Sequence, residues 1–423
     1  MRLFAILIAF VAVANSANAF CGFYVAKADG ELFNEASKVI FVRDGRKSTI
    51  TMSSDYRGPA KDFAMIVPTP KVLKREQVKT VSTKTVNHLD AYTAPRLVEY
   101  FDNDPCRPPI VLETVLSSAP MKKGAAAKRK AGARALGVTI KAEYAVGIYD
   151  ISILAAKQSN GLVTFLRQEN YKIPDGAEPA LDHYIKNGMK FFVARVNLIR
   201  HAKSKYIELE PLQIKFKSSK FMLPIQLGKV NSAGTQDMLM LALTRTGQVE
   251  TKNYATKKIP SNVNIPSFVE SEFANFYKSM FAKSVGKSGI VMEYAWDMAW
   301  CDPCAADPLS VAQLQELGVD WLKGQTKGPA RDVFVTRLHA RYSKDTMQQD
   351  LEFKETKNRA NFQGRYVMNQ PFTGAMNCPM AKDYITRKRR DIQHEAQMLA
   401  DITGWSMGSI NKKIAQSVPR KFR

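Results

Sequence analysis

The chain is 423 residues long and 45% hydrophobic, which suits one large or two intimate domains around a real core. Its 62 Lys and Arg outnumber 39 Asp and Glu, a formal charge of +23. After the opening residues no stretch approaches the roughly 18 uninterrupted apolar positions of a membrane-spanning helix, and five cysteines with five scattered histidines lack the second closely spaced pair that a closed zinc site needs.

The opening residues have the parts of a secretory signal peptide: a charge at Arg2, an apolar run from Leu3 to Ala14, and the small residues Ala17 and Ala19 before an expected cut at Ala19/Phe20. The run is too short to rest across a hydrocarbon core of roughly 30 Å. Phe20 stands where a lipoprotein signal needs a small residue, so Cys21 is not expected to be acylated. The mature chain is therefore expected in the periplasm or outside the cell. Loss of Arg2 takes 62 basic groups to 61 against 39 acidic ones, leaving +22. Outside the cytoplasm the anionic partners for such a field are envelope polymers and lipid headgroups and not nucleic acid. The same lysines also keep a protein soluble.

Val39 to Val42, Asp44-Gly45 and Ser48 to Met52 read as a hairpin, because Asp-Gly supplies the positive φ of a tight turn. Phe63 to Val67 is a strand ended by Pro68 and Pro70, and Thr85 to Phe101 a helix kinked or broken at Pro95. Between residues 121 and 137 Lys122, Lys123, Lys128, Arg129, Lys130 and Arg134 stand among alanines and glycines with little to bury, the pattern of a basic linker. Tyr144 to Leu154 reads as a strand and Leu162 to Ile185 as a helical hairpin, after which Gly188 releases the strand Phe191 to Leu198.

Strands are expected at Leu209 to Phe216, Phe221 to Leu227, Met238 to Thr246, Val333 to Tyr342 and Phe362 to Met368. A helix from Phe268 to Ala282 opens on a capping box of Ser267 and Glu270, and a long helix runs from Pro379 to Ile402. The expected organisation is a signal peptide (1–19), an N-terminal α+β lobe (20–120), the linker (121–137), a second α+β lobe (138–285) and a C-terminal region with the CxxC and the long helix (286–423). The fold class is α+β, an antiparallel strand-rich core with helical hairpins in two intimate lobes.

Trp300-Cys301-Asp302-Pro303-Cys304 looks locally like a thioredoxin active site, in which a cysteine at a helix start becomes a nucleophile. The flanks do not read as the compact βαβ frame such a site requires, and Asp302 sets a negative charge beside the thiolate. A structural disulfide is the preferred role in an oxidising compartment. The preferred pairing is Cys21 with Cys106 and Cys301 with Cys304, leaving Cys378 free; the rival joins Cys378 to Cys301 or Cys304. Gly404-Trp405-Ser406-Met407-Gly408 spells a nucleophile elbow, yet a helix precedes it and no histidine follows, which fits a helix end at Gly404 with Trp405 packed inward. Gly286-Lys287-Ser288 has Phe281 where a phosphate loop needs its first glycine. Arg387, Lys388, Arg389 and Arg390 could meet anionic lipid or glycan, with a solvated helix face as the default. Arg341-Tyr342 and Arg365-Tyr366 read as sheet packing on neighbouring strands.

Cys21-Gly22-Phe23-Tyr24-Val25, Ile66-Val67-Pro68-Thr69-Pro70, Thr93-Ala94-Pro95-Arg96-Leu97 leading to Asp104-Pro105-Cys106, Tyr171-Lys172-Ile173-Pro174 leading to Phe191-Phe192-Val193-Ala194-Arg195, Cys301-Asp302-Pro303-Cys304 and Thr403-Gly404-Trp405 occur in order. As a set they resemble the bacterial family called domain of unknown function 2330. The resemblance implies an exported bacterial protein with no assigned activity and carries over no catalytic residues. The function expected is a disulfide-stabilised, non-enzymatic binding or structural protein of the cell envelope, without cofactor or metal and without a complete catalytic constellation. The alternative is an extracytoplasmic thiol-disulfide oxidoreductase using Cys301 and Cys304.

Overall fold

A computed structural model describes residues 23–27, 33–57, 63–107, 138–169, 171–173, 176–203, 209–230, 234–300, 302, 307–326 and 328–423. The hairpin at Asp44-Gly45 forms, with Phe33–Asp44 and Lys47–Arg57 paired antiparallel across Gly45 at φ +57°. It lies near the centre of the larger sheet, in the order Thr256–Lys258, Gly289–Asp297, Phe334–Tyr342, Gln236–Thr244, Phe33–Asp44, Lys47–Arg57, Leu212–Lys217 and Val78–Thr80. A second sheet runs Val138–Val146, Tyr149–Ala156, Lys190–Val196, Phe63–Thr69, Phe23–Lys27 and Tyr171–Lys172. Pairing is mostly antiparallel, and the fold is strand-rich α+β.

Alternation along the strands decides how the layers stack, since successive side chains leave opposite faces. Val39, Phe41, Met238, Met240 and Ala242 meet Met65, Val67, Phe192 and Ala194 in one apolar core between the two sheets. Their neighbours Ile40, Val42, Leu241 and Leu243 turn the other way, against Val86 and Leu89 of the helix Thr83–Thr93 and Leu314 and Leu317 of the helix Val311–Leu317. Ala64, Ile66, Phe191 and Val193 pack under the expected helical hairpin, Ser159–Gln168 and Ala177–Lys186. A fourth core joins the helix Phe273–Val285 to the last long helix, Met380–Thr403.

Several expectations are corrected. The helix around Pro95 stops at Thr93, and Arg96–Phe101 is a strand lying parallel to Arg365–Gln370. Proline withholds the amide that the next turn would use, and the distant partner strand claims the residues beyond it. Tyr144 to Leu154 is not one strand but parts of two, turned at Gly147 with φ +53°. Pro68 does not end its strand; it sits within Phe63–Thr69 opposite Phe191, beyond the described ladder to Phe23–Lys27, which starts at Phe23↔Ile66. Phe221 to Leu227 keeps only Met222–Leu223 as strand before a short helix, Gln226–Val230. Ser267 caps nothing: 267–272 form a 3₁₀ turn without a side-chain cap, and the α-helix starts at Phe273. Arg341 and Arg365 are in different sheets, and Arg341 forks onto Asp237 at 2.6 and 2.7 Å.

The larger sheet also encloses charge. Glu293, fully buried at the register step between Met292 and Tyr294, accepts from Arg337 Nε (2.6 Å) and pairs with His339 Nδ1 (2.7 Å), and it accepts from Tyr277 Oη. Arg337 continues to Asp90 (2.5 Å), which Lys38 also meets at 2.7 Å. Burial pushes the Glu293 carboxyl upward, but His339 and Arg337 outweigh it and bring the group down to about 2.

Candidate functional site

The strands Val263–Asn264, Arg365–Gln370 and Arg96–Phe101 form a small all-parallel sheet. Asn264, Asn369 and Asp102 stand at or just past its carboxyl ends, the side on which parallel sheets commonly place ligands. They line one wall of a cleft of about 460 Å³. The opposite wall is the last long helix, whose Tyr384, Lys388, Asp391 and Glu395 follow the 4-3-4 spacing of one helical face.

The two walls are joined by direct bonds. Lys388 is 4% exposed and its ammonium lies 2.9 Å from Asp102 Oδ2. Tyr384 donates to the same oxygen at 2.7 Å while accepting from the Phe372 amide at 2.7 Å. Burial and the Asp102 carboxylate hold the Tyr384 proton, raising its pKa above the usual range. Glu395 is 5% exposed on the inner side of the helix, where burial pushes its carboxyl up to about 7 against the opposing pull of Lys388 and a hydrogen bond with Asn369. His394 and Asp391 complete that edge, and Arg387 stands over the Tyr384 ring at 5.8 Å. The cleft thus presents both signs of charge and an acid that exchanges its proton near neutrality.

A disulfide lies beside this cleft, its Cys106 between the lining residues Pro105 and Arg107. Cys106 is bonded to Cys378 with Cα atoms 5.7 Å apart, tying the turn after Arg96–Phe101 to the start of the last long helix across 272 positions. The expected Cys21–Cys106 pairing and free Cys378 are therefore replaced. So is the rival that gave Cys378 to Cys301 or Cys304, because the parallel strand pairing brings residue 106 beside residue 378.

The basic run on this helix is divided between interior and surface. Lys388 is buried and paired, Arg389 donates to the Lys421 carbonyl at 3.1 Å, and Arg387 and Arg390 are exposed. Lys122, Lys123, Lys128, Arg129, Lys130 and Arg134 lie outside the described residues, as do Cys21, Cys301 and Cys304. Asp302, between the last two, is 6% exposed and accepts from Tyr294 (3.0 Å) and Gln363 (2.6 Å), while Trp300 is 69% exposed. Ser406 is the cap of the helix Met407–Ser417, accepting from the Ser409 amide, and Gly404 ends the preceding helix at φ +78°. Trp405 packs inward, donating to Ser279 at 2.9 Å. Gly286 likewise ends a helix, at φ +63°.

Asp102, Tyr384, Asp391 and Glu395 escaped the reading of the sequence. The available signal was Glu395 falling in register with the inward Ile392, Ala396 and Leu399, where an acid signals a buried role. Among the described residues no group of three or more His, Cys, Asp or Glu could hold a metal ion, and no helix is long and apolar enough to cross a membrane.

No curated protein and no solved structure matches the chain. A family model described as an uncharacterized protein conserved in bacteria matches residues 15–354, which leaves the last long helix beyond the matched region. With most of its length matched, the chain belongs to the bacterial family known as domain of unknown function 2330.

Proposed function

We propose that this protein is exported to the periplasm or beyond, losing residues 1–19, and serves there as a non-enzymatic binding or structural component of the cell envelope. The observation that carries the reading is the Cys106–Cys378 disulfide, since such bonds persist in oxidising spaces and are rare in the reducing cytosol. The surplus of Lys and Arg supports attraction to anionic phospholipid headgroups, glycans or wall polymers. Arg387 and Arg390, together with the lysines and arginines of the 121–137 segment, are the contacts proposed for it. The polar cleft adds a recess with fixed charges of both signs, suited to holding a polar group of such a polymer. Asp302, anchored to Tyr294 and Gln363, suits a structural loop better than a mobile redox one.

Sedimentation with phosphatidylglycerol vesicles, against phosphatidylcholine vesicles, tests the electrostatic part. The protein is expected to pellet with the anionic vesicles at low salt and to be released as salt rises. Binding indifferent to salt, or none to either vesicle, would remove the proposed attraction.

A further inference from the structure

A second cavity, of about 500 Å³, opens between the two large sheets and belongs to none of the features above. Part of its wall is apolar: Met52 and Ile214 come from the larger sheet, Val67 from the smaller, and Leu223 from the short strand Met222–Leu223, all 4% exposed or less, while Asn187, Ser218, Ser219, Asn253, Gln348 and Gln349 line the rest. That volume falls within the roughly 300–1,000 Å³ of small-molecule sites.

One buried charge is set into this wall. Asp350 is 8% exposed, and its Oδ1 accepts from Tyr184 (2.6 Å), the Ile225 amide (2.8 Å) and the Gln226 amide (3.3 Å). Those bonds hold the carboxylate in place through one oxygen. The other, Oδ2, has His183 Nε2 at 3.9 Å, beyond hydrogen-bond length, on a half-exposed ring. The remaining charged lining residues are nearer solvent: Lys220 is exposed, and Glu352 is already paired with Lys252 at 2.9 Å.

We propose that this cavity binds a small amphiphile, its apolar body against Met52, Val67, Ile214 and Leu223 and its cationic, N–H-donating head on Asp350 Oδ2. A buried carboxylate whose hydrogen bonds from the protein converge on one oxygen gains most from a ligand that brings both charge and hydrogen bonds to the other. Burial raises the Asp350 pKa, and an ammonium would offset that cost. The preference runs against the positive charge of the whole chain, so bulk electrostatics would not produce it.

Calorimetric titration of the full chain with decylammonium, decanol and decanoate, each below its aggregation concentration, tests the proposal. Decylammonium is expected to bind about tenfold or more tightly than decanol, with decanoate weakest. Asp350→Asn, which keeps an acceptor for Tyr184 and both amides, should abolish the difference and leave decanol binding intact. Met222→Trp, filling the cavity from its half-buried rim, should weaken both. Equal binding of alcohol and ammonium, tighter binding of the carboxylate, or no binding by the wild-type chain would overturn the proposal. The wild-type ranking decides even where a variant fails to fold.

Discussion

Lys388 places its ammonium 2.9 Å from Asp102 Oδ2, joining the middle of the last long helix to the end of a strand far earlier in the chain. The Cys106–Cys378 bond makes the same connection covalently, four residues from Asp102 and ten from Lys388. An electrostatic and a covalent link therefore hold the same two walls, and the cleft between them is set by both.

Glu395 makes stability depend on pH in a direction opposite to most carboxylates. Its folded value of about 7 lies above the ordinary 4.5, so the folded chain keeps a proton that the unfolded chain has released. Stability should fall as pH rises from about 4.5 to 7, by about 3 kcal/mol at most for this group. Urea denaturation across that range should show the decline, and Glu395→Gln should flatten it. An unchanged slope in the variant would mean that Glu395 is not the group responsible.

Glu293 acts on the acid side, in a window that does not overlap. With a folded value of about 2, its contribution is complete above 4.5 and is lost as pH falls toward 2. Arg337 is the counter-charge that permits this, and Arg337→Met should cost about 3–5 kcal/mol at neutral pH by leaving Glu293 and Asp90 under-compensated. Chemical denaturation measures it, and a loss below 1 kcal/mol, the ordinary worth of an exposed pair, would contradict the assigned role.

Much of the fold is legible where the signal is local. Asp44-Gly45 determines its own turn, and the alternation from Val39 to Val42 sends residues to two different cores. Where the deciding partner is distant, the sequence misleads: Arg96–Phe101 has helical spacing until the strand Arg365–Gln370 captures it. Lys388 shows the same limit at the site, reading as one of four basic residues in a row because Asp102, which draws it inward, is adjacent only in three dimensions. The helix end at Gly404 and the inward Trp405 are legible because such ends are written in neighbouring residues, whereas the helix Met407–Ser417 that Ser406 caps is not among the expected elements.

Removing the disulfide should loosen the cleft before it unfolds the sheets. Cys106→Ser with Cys378→Ser should cost about 2–5 kcal/mol, and hydrogen exchange should rise first in residues 102–107 and in the first turns of the last long helix. Uniform exchange throughout the chain would indicate that the bond does not act locally.

The export account is tested most directly by mass spectrometry of the native protein from fractionated bacteria. It predicts a mature chain beginning at Phe20 in the periplasmic or extracellular fraction, with the peptides of Cys106 and Cys378 cross-linked. An intact chain beginning at Met1 in the cytosol, with both thiols reduced, would contradict it.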